Sequence, residues 1–175
     1  MFPLVFISFR TFFLMGQYIM PSHEEQKRLH RFCEGVIAKD PSIRFAGIAN
    51  QMGRLIETAY REGLHPLMNR QDTEHYTVQT VLRASTRETF ESKIGKQRYA
   101  IAVYEKLIRA TIPLIIRRND DNMVEAEKEQ RQQKGQDFKQ LYLLISFDME
   151  SDIIAIIEDK ILPQIEQFER DSSVA

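Results

Sequence analysis

The chain has 175 residues, enough for one domain with a substantial core, and its 43% hydrophobic and 28% charged content is that of a folded globular protein. Lys and Arg number 24 against 25 Asp and Glu, a net charge of -1, which excludes the positive surplus that a nucleic-acid-binding surface needs. The single cysteine, Cys33, excludes an internal disulfide and fits a reducing cytoplasm.

Residues 1–20, MFPLVFISFRTFFLMGQYIM, form an apolar extension with one charge, Arg10. A secretory signal opens with positive charge and ends at a small-residue cleavage site. Here the charge sits inside the run and no such site follows. The segment barely reaches the ~20 apolar residues of a spanning helix, and an arginine near its centre costs about 2.5–3.5 kcal/mol on insertion. Open readings are a tail docked on the domain, a start codon that truly lies at Met20, a membrane anchor and a docking segment.

The ordered domain is expected over residues 21–170, with a tail over 171–175. Ser22 and Glu25 make a capping-box pattern, and Leu29, Phe32, Cys33, Val36 and Ile37 fall on one helical face. Asp40-Pro41 ends this first helix, so it covers about residues 22–39. A hairpin follows, strands 43–50 and 54–60 joined by NQMG, whose Asn50 and Gly53 tolerate left-handed turn conformations. The first of these strands is apolar on both faces, the mark of an inner strand. After a loop with Gly63 and Pro66, Asp72 is the expected cap of a second helix that runs to about Ile94. Its buried face is expected to carry Tyr76, Val78, Val81, Leu82, Phe90 and Ile94, and Gly95 stands where a C-cap glycine belongs.

A third strand spans 97–104, where Tyr99, Ile101 and Val103 alternate with Arg98, Ala100, Ala102 and Tyr104. A turn at Glu105-Lys106 leads to a fourth strand over 107–116. Its Pro113 lacks an amide donor and belongs at a bulge, a strand end or an edge. The polar insert 117–139 reads as a protruding hairpin or a short exposed helix. A fifth strand over 140–148 and a helix capped by Ser151 complete the chain. That helix carries Ile153, Ile154, Ile157, Ile161, Leu162, Ile165 and Phe168, and Pro163 should kink or split it. The fold class is α+β: a five-stranded antiparallel sheet with three helices, in the order α-β-β-α-β-β-β-α.

This order resembles the roadblock/LC7 fold, a relative of longin and profilin-like domains. Asp40-Pro41, IRFAGIAN (43–50), Gly53-Arg54-Leu55, Gly63-Leu64, Pro66-Leu67, Gly95, Arg98-Tyr99 and Pro113 also resemble a family of small archaeal proteins. The roadblock resemblance implies an interaction module without an active site. Such modules pair helix 2 with helix 2 and strand 3 with strand 3, in homodimers or with related chains, and act beside small GTPases or motors. In this sequence strand 3 would present Arg98, Ala100 and Ala102 at that edge, with Arg83 and Arg87 on helix 2. The plainer role of Arg98 is to guard an edge against aggregation, and that of Arg83 and Arg87 is to line a solvated face.

No catalytic constellation is visible, so an enzyme is not expected, and no cofactor motif is present. His23, His30 and Cys33 share a helix, but seven residues is two turns, about 10 Å of rise, too far for one tetrahedral metal. Cys33 on a core face behaves as a small hydrophobe. His65 and His75 flank the loop before helix 2 and read as surface histidines. SKIGKQR lacks the spaced glycines of a phosphate loop. Lys93, Lys96, Arg98 and Arg109 can form a small basic patch, more simply a solvated rim. Asp120-Asp121 lie in the polar insert, with no apolar pocket to raise a pKa.

Three functions follow in order. The first is a cytoplasmic dimerising or scaffolding module. The second is a small-molecule sensor similar to PAS or GAF domains, with a cavity lined by Tyr60, Tyr76, Tyr99 or Tyr104. The third is a membrane-associated adaptor acting through residues 1–20.

Overall fold

A computed structural model describes residues 21–117 and 138–174. In chain order these form α1 (His23–Ile37), β1 (Ile43–Asn50), β2 (Leu55–Tyr60), α2 (Arg70–Glu88), α3 (Glu91–Ile94), β3 (Ala100–Val103), β4 (Ile108–Arg117) and β5 (Phe138–Phe147). The last helix, α4, is α-helical over Ile153–Ile156, π-helical over Ile157–Ile161 and α-helical again over Leu162–Val174. The fold is α+β with the expected five antiparallel strands, but the described residues hold four helices where three were expected. The second helix stops at Glu88, and α3 forms a separate turn that ends at Gly95, with φ at 86°. The apolar extension 1–20 and the link 118–137 lie outside the described residues. The expected insert is narrower than 117–139, because Arg117 and Phe138 pair as the last rungs of β4 and β5. At the other end α4 runs through 171–174, and Ser172 is buried with its hydroxyl on the Phe168 carbonyl.

Caps set the helix starts. Ser22 Oγ accepts from the Glu25 amide at 3.1 Å, as the capping pattern predicts. The cap of α2 is Asn69, which accepts from the Asp72 amide, and that of α4 is Asp152, one residue past the expected Ser151. In α4 the π turn ends two residues before Pro163. A proline has no amide and its ring presses on the carbonyl four residues back, so a widened turn there takes up the conflict.

The strand order is β2-β1-β5-β4-β3, with every neighbouring pair antiparallel. One face of the sheet is covered by α1 and α4. Leu29, Phe32, Cys33 and Val36 of α1, with Ile157, Ile161 and Ile165 of α4, meet Ile43, Ile48, Ile112, Leu114, Leu143 and Ile145. Phe32 stacks on Phe168 with ring centroids 4.2 Å apart. The other face carries a smaller core in which Val81 and Ala84 of α2 meet Phe45, Ala49, Tyr142 and Leu144. β1 is therefore an inner strand covered on both faces, as its sequence predicts.

α2 turns a different side inward from the one its apolar residues suggest. Val81 is buried, but Val78, Leu82, Phe90 and Ile94 are exposed. The buried positions are Thr73, Thr77, Thr80, Val81 and Ala84. Each of these threonines bonds its own hydroxyl to a carbonyl four residues back, at 2.8–2.9 Å, so it enters the interior without an orphaned polar group. The same helix passes so close to the β1–β2 turn that a Cβ on Gly53 would stand 2.4 Å from the Val78 Cα.

Candidate interaction surface

β3 is a short edge strand, and its hydrogen bonding decides what it offers. The Tyr104 amide donates to the Leu107 carbonyl at 3.0 Å, which closes a tight turn at Glu105-Lys106. Main-chain groups alternate sides along a strand. The amides and carbonyls of Ala100 and Ala102 therefore face β4, and those of Ile101 and Val103 face outward from the sheet. Side chains alternate in the other sense. Ala102 stands opposite Arg109 and Ala100 opposite Thr111 on the α2 face. Ile101 and Val103 lie on the α4 face, 37% and 68% exposed.

The same alternation places Pro113. β3 covers β4 only as far as Thr111. Beyond it the Ile115 amide points to the open edge, where the Glu169 carboxylate of α4 accepts it at 2.7 Å. Pro113 faces the same way, so its missing donor interrupts no ladder bond. It sits mid-strand opposite Tyr142, at neither a bulge nor a strand end, but on a stretch of β4 that the short β3 leaves as an open edge.

On the α2 face, one row of side chains crosses the whole sheet: Tyr60, Phe45, Ser146, Arg109 and Ala102. Over the β4–β3 end of this row stands Tyr76 of α2. The Arg109 guanidinium lies 3.9 Å over the Tyr76 ring, and the hydroxyls of Tyr76 and Tyr104 are 2.9 Å apart. That bond pushes the Tyr104 pKa up, while Arg109 and Arg83 pull the other way. Arg83 and Arg87, seven and eleven residues after Tyr76, share its side of the helix. At the far end of α2, Glu88 accepts from Tyr142 Oη and Gln140 Nε2, both at 2.7 Å, and fixes the helix to β5.

Ala100 and Ala102 thus lie on the face of the sheet that α2 covers, and Arg83 and Arg87 on the side of α2 that carries Tyr76. Arg98 stands apart from them. It precedes β3, and its guanidinium pairs with Glu158 of α4 at 2.6 Å, beside a 2.9 Å bond from Tyr99 Oη to the same carboxylate. Arg98 and Arg109 therefore do not share the basic patch drawn from the sequence. The residues that reading passed over are the outward amides of Ile101 and Val103 and the pairing of Tyr76 with Tyr104. The period-two pattern of β3 was the signal available for the first. The second joins residues 28 apart and has no local signal.

The four tyrosines proposed to line one cavity are divided by the sheet. Tyr99 is tied to α4, while Tyr60, Tyr76 and Tyr104 lie on the α2 side. Tyr60 lines an open groove of about 750 Å³ at the opposite sheet edge, with Leu55, Pro66, Leu67 and Thr73. Burial pushes the Cys33 thiol up to about 12, so it stays protonated as a small core residue. His30 stands 3.5 Å from Glu34 and 3.4 Å from Glu57. Among the described residues no cluster of three His, Cys, Asp or Glu is placed to hold a metal, and no helix is long and apolar enough to cross a membrane.

No family model matches the chain, and no curated protein matches it in sequence. Solved structures do match. The gliding protein MglB from Thermus thermophilus superposes with a TM-score of 0.61 over 90% of this chain and 98% of that one, at 9% identity. MglB in a tetrameric arrangement gives 0.61 over 89% and 96%, at 10% identity. Myxococcus xanthus MglB gives 0.52 over 87% and 90%, at 13% identity. At such identities the likeness is one of fold, and the fold is roadblock/LC7-like.

Proposed function

We propose that this chain is a non-enzymatic pairing and scaffolding module that associates through the β3 edge, with a second copy of itself or with a related roadblock-like chain. The observation that carries this is the row of outward main-chain groups on Ile101 and Val103, on a regular edge with no proline, lysine or bulge to blunt it. The tetrameric arrangement of MglB supports self-association as something this fold does.

The register follows from symmetry. A two-fold axis normal to the sheet keeps each side chain on its own face, so only residues of the same parity can stand opposite one another. The two registers that overlap most of β3 set either Ile101 or Ala102 opposite its own copy. Centring on Ala102 sets Ile101 opposite Val103 of the second copy and engages every outward group of both residues, four hydrogen bonds in all. Small Ala102 side chains then meet at the axis, where a narrow, non-hydrogen-bonded pair brings the chains closest. Centring on Ile101 engages only two such bonds within β3.

The lone cysteine, buried and protonated, supports a reducing compartment, the cytoplasm, as the module's location. Light scattering of the full chain over a dilution series tests the proposal. The expected result is a dimer that becomes monomeric when Ala100 and Ala102 are both changed to Asp. A monomer at every concentration overturns self-association and leaves the related chain as partner. A dimer that survives the double change overturns the edge itself.

A further inference from the structure

One cluster on the α2 face has no part in edge pairing. Arg109 is half-buried, and the face of its guanidinium rests on Tyr76, which leaves its in-plane N–H groups for other acceptors. Tyr76 and Tyr104 share one hydrogen bond between two hydroxyls, so one hydroxyl proton remains to be donated elsewhere. Arg83 stands seven residues after Tyr76 on the same side of α2, and its guanidinium donates to Gln79 Oε1 at 3.5 Å. Several other arginines find carboxylates: Arg44 and Arg61 share Asp148, Arg70 has Glu74, Arg98 has Glu158, and Arg170 has Glu166. Arg83, Arg87 and Arg109 have no carboxylate within ion-pair distance among the described residues.

We propose that Arg109, Arg83, Tyr76 and Tyr104 form a recognition site for a carboxylate side chain of an acidic protein segment. A guanidinium already held by a ring presents a fixed, planar fork, which matches a carboxylate in two-point contact. Tyrosine with arginine in a half-desolvated setting is the composition of protein-interface hot spots. A few guanidiniums on a chain of net charge -1 fall far short of the phosphate contacts that hold a nucleic acid. The site goes beyond the pairing proposal, since its four side chains belong to one chain and none of its bonds uses the β3 edge.

The test is fluorescence anisotropy of a labelled octaglutamate peptide titrated with the full chain at low salt. The expected result is saturable binding that Arg109→Gln or Arg83→Gln each weakens ~10-fold, since each removes a charge-assisted hydrogen bond. Arg109→Lys keeps the charge but loses the fork and should also weaken binding. Arg70→Gln, on the same helix but already paired with Glu74, should change nothing. If Arg109→Gln fails to fold by circular dichroism, the exposed Arg83→Gln carries the test. No binding by the unaltered chain overturns the site, and so does equal weakening by Arg70→Gln, which marks unspecific attraction. Displacement by inorganic phosphate at matched charge overturns the choice of a protein carboxylate. The pairing proposal is read separately from solution mass, so either can fail alone.

Discussion

Substituting proline at Val103 separates the sheet inside one chain from the sheet between two. The Val103 amide faces outward, so within one chain its removal interrupts no ladder bond, and proline is tolerated at such edge positions. In the pair centred on Ala102 the same amide is one of four inter-chain donors, and two copies lose two of them. At about 0.5–1.5 kcal/mol for each hydrogen bond, association weakens by about 1–3 kcal/mol, roughly 5- to 150-fold in Kd. Light scattering over a dilution series measures the shift, and urea unfolding measures the fold. Ala102→Pro is the contrast: its amide faces β4, so it should lower the urea midpoint as well. A Val103→Pro chain that dimerises like the parent would refute the edge. One that unfolds like Ala102→Pro would refute the alternation deduced from Tyr104.

Three further outcomes are expected. Ala102→Cys should give a disulfide-linked dimer under mild oxidation, because directly opposed residues at a narrow pair have Cα atoms about 4.5 Å apart, within disulfide range; linkage by Ile101→Cys in its place would select the other register. Tyr142→Phe should cost roughly 1–3 kcal/mol in urea unfolding, because the buried hydroxyl bonded to Glu88 at 2.7 Å holds the last turn of α2 to β5, and an unchanged midpoint would argue that this bond is not made in solution. The Asp40 carboxyl is lowered from 3.8 to about 2, first by its hydrogen bond from Lys160 and then by Ser42. Its folded value lies below its unfolded one, so its contribution is complete above pH 3.8 and is lost as the pH falls toward about 2. Lys160→Ala should move the Asp40 titration upward when followed by carboxyl NMR, and a titration that stays in place would remove Lys160 as the cause.

Local chemistry alone determined much of the fold. β1 was legible to the residue, because an apolar run on both faces, bounded by Asp40-Pro41 and the Asn50–Gly53 turn, admits little else. Ser22 announced α1 for the same kind of reason: a cap is satisfied within one turn of helix. The inward side of α2 was misread because periodicity counts side-chain polarity, while a threonine bonded to its own helix enters the core as a methyl group. Pro163 foretold a disturbance in α4, and the helix is interrupted there by a π turn. What only the tertiary structure decided is the strand order and everything that depends on it. The order makes β3 an edge, its shortness excuses Pro113, and the row from Tyr60 to Ala102 carries Arg109 beneath Tyr76 and beside Tyr104. These neighbours are brought together by the sheet, from residues too far apart in the chain for any local pattern to link.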